Sequence, residues 1–474
     1  MDRGEAEAIF EAGREVVVGV LLGMDRQIQT LTARVDRLER ELAKNSRNSS
    51  RPPSSDPPSA KKRGKPARPK GPSGKAQGAQ PGHEGKGREL LPTMAVDEVV
   101  VHWAVGCECG HEFGDAERVA IGDPVRHQVE ELPQISTIVV EHQCPRVCCP
   151  DCGRRQRAEL PADVAGSAFG PRLAAAIVTV SVRNRVSRRD AVKLIEQLFG
   201  ARISTGSIDA ILARAGDALA DPYEDLLARV RGAKALNMDE TGWRLKGAQR
   251  TLWGAFTDRH AVLVMAESRH EDHAREILAD SRAVVTSDRW WAYNHLAVAR
   301  RQICWSHLQR DFQAQAEGIG AEKEFGELAL TICDELFWSW EIYQHTHDRR
   351  ELKRRIARLR RELKAVLRTY SAKPPRYKRT RGLARNLLKI WPALWTFTTA
   401  TGVTPTNNHA ERGLRSAVIY RKLSPGSQSE DGETRIARLL SAHTTCRLQH
   451  RSLFNYLAET LEHHARGAPV PLLA

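Results

Sequence analysis

Apolar residues near the N-terminus recur at alternating spacings of three and four. They are Leu21, Met24, Ile28, Leu31, Val35, Leu38 and Leu42, with charged residues between them. This is the a/d pattern of a coiled coil, in which a second helix buries the apolar seam. An amphipathic helix packed on the protein's own core would show the same period. We favour self-association through residues 1–43, because the seam leads directly into a segment unsuited to folding.

That segment begins at Lys44, where the regular apolar pattern stops. Residues 44–71 contain almost no large apolar side chains and are rich in Pro, Ser, Gly, Lys and Arg. Such a composition cannot bury enough apolar surface to offset the entropy of ordering. The sequence therefore predicts a disordered basic linker over residues 44–92.

Alternating apolar and polar residues return at 99–105 and 135–144, which predicts strands of a small β module over residues 93–161. This module carries the cysteine pairs Cys107/Cys109 and Cys149/Cys152. Four thiolates in two loops can hold one structural Zn²⁺ and stabilise a domain with little core. The first pair is one residue shorter than the common spacing, so three other residues remain alternative ligands: His111, Cys144 and Cys148.

Residues 162–232 show helical periodicity with short breaks. Residues 186–216 predict a helix, a glycine-containing turn, a cap at Ser204 or Thr205, and a second helix. This order resembles a helix-turn-helix, whose second helix could enter a DNA major groove. Any two-helix hairpin gives a similar pattern, so both interpretations stay open.

After Lys234 the period changes from helical to strand-like. The pattern predicts strands at 235–245, 251–258, 260–267, 283–288 and 301–307, with helical stretches at 271–280 and before residue 301. Three strands, a helix, a strand, a helix and a strand is the order of a ribonuclease-H-like α/β core. We assign its first part to residues 233–319. A helical insertion then covers 320–402, the core resumes at 403–450, and a C-terminal helix and tail occupy 451–474.

Three carboxylates are the candidate chemistry of this core. Asp239 lies on the first strand, Asp288 ends the fourth, and Glu411 follows a polar helix start in the stretch TNNHAERGLR. Alone, each residue would more often be a cap or a surface ion pair. Together they could hold two Mg²⁺ or Mn²⁺ ions about 4 Å apart, which activate a water or 3′-hydroxyl for attack on a phosphodiester. Asn408 and Arg412, with Asn407, would orient the carboxylate or contact phosphate.

Charge is concentrated in two segments. The net charge is +15, and residues 44–88 contain 12 Lys or Arg against 2 Asp or Glu. Residues 349–389 contain 17 against 2, within the predicted insertion. Such segments indicate contact with a polyanion, with a solvated tail and a solvated helix face as the alternative.

Several protein classes are disfavoured. No apolar run approaches the length of a membrane span, and the acidic N-terminus does not resemble a signal peptide. Nine cysteines in 474 residues do not suggest a disulfide framework. We therefore expect a multidomain protein in a reducing, cytoplasmic compartment, without a membrane partner.

Five motifs resemble the DDE transposases of the insertion sequence 66 type. They are residues 238–244 (MDETGWR), 287–296 (SDRWWAYNHL), 304–310 (CWSHLQR), 408–415 (NHAERGLR) and 420–423 (YRKL). The linker string LAKNSRNSSRPPSSD at 42–56 and the cysteine module extend the resemblance over nearly the whole chain.

The resemblance implies a catalytic triad of Asp239, Asp288 and Glu411, and a C-x-x-H signature at Cys304 and His307 of structural or catalytic role. It implies a homo-oligomer of at least two subunits that binds terminal inverted repeats and target DNA, with element-encoded accessory proteins as further candidate partners. It also implies association with the nucleoid when the protein is bound to DNA. A transposase-derived regulator and a nuclease without strand transfer are the alternatives.

Overall fold

The computed structural model describes residues 4, 10–43, 89–133, 135–424 and 426–473. The predicted linker between residues 44 and 88 lies outside the described residues. The chain divides into two compact units, Ser59–Thr137 and a larger one formed by Met1–Pro58 with Ile138–Ala474. Among the described residues, no helix combines the length and apolarity that crossing a membrane requires.

Helix α1 spans Arg14–Ala43 and carries the predicted apolar seam. The seam residues with described side chains are all exposed: Leu21, Met24, Ile28, Leu31 and Val35. This exposure argues against a helix that packs on the protein's own core. Self-association through the seam stays a prediction.

The predicted strands at 99–105 and 135–144 are wrong. Neither run forms a strand among the described residues. Valines such as Val101 and Val139 are 62% and 88% exposed. An alternating pattern forms a strand only where one face is buried and a neighbouring strand provides backbone hydrogen bonds. These two runs meet neither condition. The strands of the region are β1 (Arg146–Cys148) and β2 (Arg155–Arg157), which pair as an antiparallel hairpin in the larger unit.

Five helices lie between β2 and the main sheet: α2 (Ala162–Ala165), α3 (Pro171–Val182), α4 (Arg188–Phe199), α5 (Thr205–Ala218) and α6 (Ala220–Arg231). The predicted helix, turn and helix are confirmed as α4 and α5. Gly200 ends α4 with φ +65°, and the Ser204 side chain caps α5 by accepting from the Ser207 N–H. The cap is thus Ser204 rather than Thr205.

Helix α5 packs into the main core rather than standing free. It buries Ile208, Ile211 and Ala215 in the same apolar cluster as the sheet. Its exposed face carries Asp209 and Asp217. Both aspartates form ion pairs, with Arg188 and Arg435, so DNA binding through α5 stays a prediction.

The central sheet contains β3 (Ala235–Leu245), β4 (Ala248–Phe256), β5 (Ala261–Ala266), β6 (Val284–Ser287) and β7 (Arg301–Ile303). Their order is β5-β4-β3-β6-β7. Strands β3, β4 and β5 pair antiparallel, whereas β6 and β7 run parallel to β3. Lys246 and Gly247 join β3 to β4 with φ of 49° and 84°, as a two-residue hairpin with two positive φ angles requires. Helix α7 (Glu271–Leu278) connects β5 to β6.

Two element predictions around β7 need correction. The predicted strand 301–307 ends at Ile303, and helix α8 (Trp305–Ala316) begins two residues later. The helical stretch expected before it consists of two 3₁₀ turns, Trp291–Tyr293 and Val298–Arg300. The Trp305 N–H donates to Pro405 O instead of continuing the ladder, a partner about a hundred residues away that local pattern cannot reveal.

The predicted insertion is helical and has its own core. Helices α9 (Ala321–Thr346), α10 (Arg349–Ser371) and α11 (Lys378–Lys389) pack around a second cluster of buried residues that includes Phe325, Leu336 and Leu363. The chain then returns to the main core as α12 (Asn408–Leu423), α13 (Glu430–Leu448) and α14 (Leu453–Ala465).

Candidate functional site

Asp239 and Asp288 lie at the same level of neighbouring parallel strands. The β3–β6 register pairs Asn237 with Thr286, so Asp239 and Asp288 occupy equivalent positions two residues further along. Each carboxylate accepts a nearby backbone N–H: Asp239 from Glu240 at 3.0 Å and Asp288 from Trp290 at 2.8 Å. The two carboxylates predicted from the sequence are therefore side by side on the sheet.

Glu411 lies in the first turn of α12, which packs on β3 and β4. This packing is close: a Cβ on Gly413 would collide with the Phe256 ring. The Glu411 side chain is 35% exposed and faces two basic side chains. Its Oε1 lies 3.8 Å from His307 Nδ1 and 3.6 Å from Arg310 Nη2. The absence of a side chain at Gly413 thus allows the helix to bring Glu411 to the sheet.

Burial and neighbouring negative charges raise the pKa values of both aspartates. Burial is the main cause that raises the pKa of Asp239 well above its usual range, and the charges of Glu240, Asp288 and Glu411 add to it. Burial and the Glu240 charge raise the pKa of Asp288 to about 6. Clustered carboxylates that raise one another's pKa either bind protons or attract a cation.

The donor set fits a hard divalent cation, because oxygen ligands with concentrated negative charge are what Mg²⁺ and Mn²⁺ prefer. Asp239, Asp288 and Glu411 supply such oxygens. No group of three or more His, Cys, Asp or Glu side chains in the described part of the chain is close enough to hold a metal ion as it stands. The three carboxylates would therefore have to draw together around an ion.

Asn407 connects the elements that carry these carboxylates. It is 0% exposed. Its Nδ2 donates to Met238 O at 2.7 Å, and its Oδ1 accepts from Asn237 Nδ2 at 3.0 Å. Its backbone N–H donates to Cys304 Sγ at 3.0 Å, while its carbonyl accepts from the Glu411 N–H at 3.2 Å. Asn407 thus binds β3 beside Asp239, the residue after β7, and the Glu411 helix at once.

Cys304 and His307 have different surroundings. Cys304 is buried, and burial raises the pKa of its thiol to about 11. Its backbone N–H donates to Ser287 O at 2.8 Å, directly before Asp288. Burial and the charges of Arg310 and Arg289 lower the pKa of His307 to about 4, so its imidazole is neutral at pH 7. Cys304 thus holds neighbouring elements together, whereas His307 faces Glu411.

The other predicted supporting residues make fewer contacts. Asn408 is half-buried, and its side chain has no hydrogen bond within the described ranges. Arg412 is exposed, and its carbonyl accepts from Arg447 Nη2 at 3.1 Å. Neither side chain orients Glu411 in this structure.

A buried charge network next to the site was not identified from the sequence. Glu240 alternates with Asp239 along β3, and its side chain is 0% exposed. It forms an ion pair with Arg269 and accepts from the Tyr293 hydroxyl at 2.8 Å. The Arg269 guanidinium lies 4.4 Å from the Trp290 ring centre. The sequence signal that could have identified this network is an acidic residue at the inward-facing position directly after Asp239.

An open cleft of about 460 Å³ borders Asp288. It is lined by Asp288, Arg289, Trp290, His307, Arg310, Asp311 and Ala314. Arg289 pairs with Asp311 at 2.7 Å and donates to Asn386 Oδ1 of α11 at 2.9 Å. The cleft therefore combines one site carboxylate with cationic side chains and is bounded by a residue that contacts the insertion.

The two cysteine pairs form similar turns in different compact units. In the smaller unit the Cys107 N–H donates to His111 O at 2.8 Å, and backbone N–H donation from His111 is the main cause that lowers the pKa of Cys109. In the larger unit the Cys149 N–H donates to Arg154 O at 2.9 Å, and donation from the Cys152 N–H lowers the pKa of Cys149. Turns that favour thiolates suit metal ligation. A shared Zn²⁺ stays a prediction.

Two family models match the chain. The transposase IS66 family model matches residues 166–435, more than half of the chain and all three carboxylates. A model of a family of unknown function matches residues 2–89. The chain is also similar to an uncharacterized protein, y4hP, of Sinorhizobium fredii. The two are 24% identical over 414 residues, which cover 77% of this chain and 71% of that protein.

Proposed function

Because the chain belongs to the IS66 family of transposases, we propose that it is a DDE transposase that cleaves the ends of an insertion sequence and joins them to target DNA. One observation supports the proposal most. Asp239 on β3 and Asp288 at the end of β6 lie at the same level of neighbouring parallel strands, and α12 carries Glu411. The sheet order β5-β4-β3-β6-β7, in which β3, β4 and β5 are antiparallel and β6 and β7 are parallel to β3, supports a ribonuclease-H-like core in this proposal.

Asp239, Asp288 and Glu411 would hold the divalent cations. When bound, these ions lower the pKa of the attacking hydroxyl and stabilise charge on the leaving oxygen of the phosphodiester. Bound cations would also keep Asp239 and Asp288 ionised, because a positive charge opposes the burial and mutual repulsion that raise their pKa values.

The rest of the site would position DNA and the carboxylates. Arg289 and Arg310 line the cleft beside Asp288, where guanidinium groups can bind phosphate oxygens. The neutral imidazole of His307 offers a hydrogen bond there without adding charge. Asn407 and Cys304 would keep α12 in place while the DNA enters and leaves.

The proposal includes the partners that transposition needs. The exposed seam of α1 would dimerise the chain so that two element ends meet in one complex.

The proposal also includes a structural metal. Cys107, Cys109, Cys149 and Cys152 would hold one Zn²⁺, and metal analysis of the purified protein should then find one zinc per chain. A protein without zinc would contradict this ligand set.

The test of the function is a reaction on DNA that carries the element ends, with Mg²⁺ or Mn²⁺ present. A transposase yields products in which the freed 3′ end is joined to target DNA. A nuclease yields nicked DNA without joined products, and a transposase-derived regulator yields bound but intact DNA. Joined products that require a divalent cation support the proposal, and either of the other outcomes contradicts it.

A further inference from the structure

Helix α10 presents three chemically distinct faces. The first is apolar and packs into the core of the insertion through Leu352, Ile356, Leu359, Leu363 and Leu367. These residues recur at spacings of three and four, as expected for a helix with one buried face. The orientation of α10 is therefore fixed, and its other faces have defined directions.

The second face consists of ion pairs. Glu351 accepts from Arg354 and from Arg355. Arg358 pairs with Glu335 of α9 and with Glu362. The positive charges of this face are largely neutralised by acids on α9 and α10 themselves.

The third face is a line of cations, which we call the α10 stripe. It consists of Arg350, Lys353, Arg361, Lys364 and Arg368. Their spacing keeps them on one side of the helix, over about 27 Å at ~1.5 Å per residue. None of the five has an acidic partner in the described part of the chain, and all but the half-buried Lys364 are exposed. Lys364 contacts the Trp391 ring instead, with Nζ 5.7 Å from the ring centre.

We propose that the α10 stripe binds the phosphate backbone of duplex DNA outside the catalytic cleft. A duplex carries one negative charge per ~1.7 Å of its axis, so a straight row of cations can contact several phosphates at once. Arg350, Arg361 and Arg368 can also donate paired hydrogen bonds to phosphate oxygens. The inference depends on the proposed function only for the choice of DNA as the polyanion.

The composition of the stripe favours DNA over a protein partner. Ala357, which is exposed and small, fills the one gap in the stripe, between Lys353 and Arg361. Stable protein interfaces need buried aromatic or aliphatic anchors at their centre. The stripe offers charge without such an anchor, which suits a sequence-independent contact with phosphates.

The stripe is connected to the cleft side of the molecule by tryptophans. Lys364 lies over Trp391, and the neighbouring Arg360 lies over Trp395, 5.6 Å from the ring centre. Trp395 packs on Trp305 with ring centres 5.0 Å apart, and Trp305 begins α8, the helix of His307 and Arg310. DNA held by the stripe would therefore be held by a part of the insertion that packs directly on the site.

The experiment measures duplex DNA binding against salt concentration, in buffer without Mg²⁺ or Mn²⁺. The test variant is Arg350→Gln, Arg361→Gln and Arg368→Gln combined. The control removes the same charge from three cations that already form ion pairs outside α10: Arg275→Gln, Lys323→Gln and Arg466→Gln. A third variant replaces the three stripe arginines by lysine.

Each lost phosphate contact reduces the magnitude of the negative slope of log K against log salt by ~0.9. The test variant should therefore bind more weakly and show a slope smaller in magnitude by roughly 2–3, whereas the control and the lysine variant should keep the slope of the intact protein. Equal slopes for the test and control variants would overturn the proposal. If the glutamine variant fails to fold, Lys353→Gln with Lys364→Gln decides in the same way, with an expected change of roughly 1–2.

This result separates the inference from the proposed function. Binding without divalent cations requires no cleavage, so a chain that never cuts DNA can still show the slope change. A chain that cuts and joins DNA but shows equal slopes would keep the proposed function and refute the α10 stripe as its DNA contact.

Discussion

The backbone N–H of Asn407 donates to the Sγ of Cys304 over 3.0 Å. This hydrogen bond joins the start of the Glu411 helix to the residue that follows β7. Cys304 in turn donates its own N–H to Ser287 O, directly before Asp288. The first residue of the C-x-x-H signature thus links the elements that carry two of the carboxylates, and its buried thiol accepts a hydrogen bond.

Replacing Cys304 tests that link. We expect Cys304→Ala to destabilise the protein by about 1–3 kcal/mol, because it leaves a small cavity and a buried N–H without an acceptor. Strand cleavage should fall more than stability alone explains, while Cys304→Ser, which keeps an acceptor, should recover most of it. Cys333→Ala is the matched control, since Cys333 is equally buried but lies in the insertion core. Cleavage is compared at equal concentrations of folded protein. Equal losses of cleavage in the two alanine variants would show that the hydrogen bond between Asn407 and Cys304 does not support the site.

Asn407 should be more sensitive than its neighbour Asn408. Asn407→Leu removes the buried hydrogen bonds to Met238 O and from the Asn237 amide, so we expect a loss of about 2–4 kcal/mol in the free energy of unfolding. The concentration of Mg²⁺ needed for half-maximal cleavage should also rise, because α12 no longer holds Glu411 against β3. Asn408→Ala removes an amide without a described hydrogen bond and should change stability by less than about 0.5 kcal/mol. Chemical denaturation and a metal titration of both variants measure these differences, and similar behaviour of the two would contradict the role given to Asn407.

The Glu240–Arg269 pair should contribute to stability more than surface pairs do. Glu240→Gln removes the charge from a fully buried side chain, and we expect a loss of about 1–3 kcal/mol after allowing for the half-exposed Arg269. Glu271→Gln breaks the exposed pair with Arg275 and should cost about 0–1 kcal/mol. Denaturation midpoints of the two variants check the ordering. The reverse ordering would show that the buried network does not support β3.

Stability of the metal-free protein should depend on pH through Asp288. Its folded pKa of about 6 lies above the ordinary carboxyl value, so the folded state binds the extra proton. This group therefore stabilises the fold less as pH rises from about 4 to about 6, and its contribution is flat above that range. Asp288→Asn should remove this part of the pH dependence, and saturating Mg²⁺ should reduce it. Thermal midpoints between pH 4.5 and pH 7.5 provide the comparison, and identical profiles for the intact protein and Asp288→Asn would refute it.

Local pattern predicted much of the sheet that carries Asp239 and Asp288. The bounds of β3 agree with the predicted strand 235–245, because its alternation reflects a sheet with two different faces. The equal level of Asp239 and Asp288 follows from two parallel strands of predictable length. The predicted order of strands and helices likewise holds along the chain, except that two 3₁₀ turns replace the helix expected before β7.

The parts that could not be predicted depend on distant partners. The Trp305 N–H bonds Pro405 O, which ends β7 early and starts α8. Asn407 was expected to orient the carboxylate or contact phosphate, and its burial between β3 and Cys304 depends on partners more than a hundred residues away. The runs at 99–105 and 135–144 carry a strand pattern without the neighbouring strand that would complete it. In each case the deciding contact is far away in sequence or missing from the local pattern.

The central claim is that Asp239, Asp288 and Glu411 act together as one metal-dependent site for DNA strand cleavage and joining. The most direct measurement compares joined products formed by the intact protein with those of Asp239→Asn, Asp288→Asn and Glu411→Gln. Each amide keeps the shape of the side chain but loses the charge that holds the cation. We expect every variant to form joined products only at background level while binding duplex DNA like the intact protein. Near-normal joining by any one of the three variants would exclude its residue from the site and show that the three carboxylates do not act together.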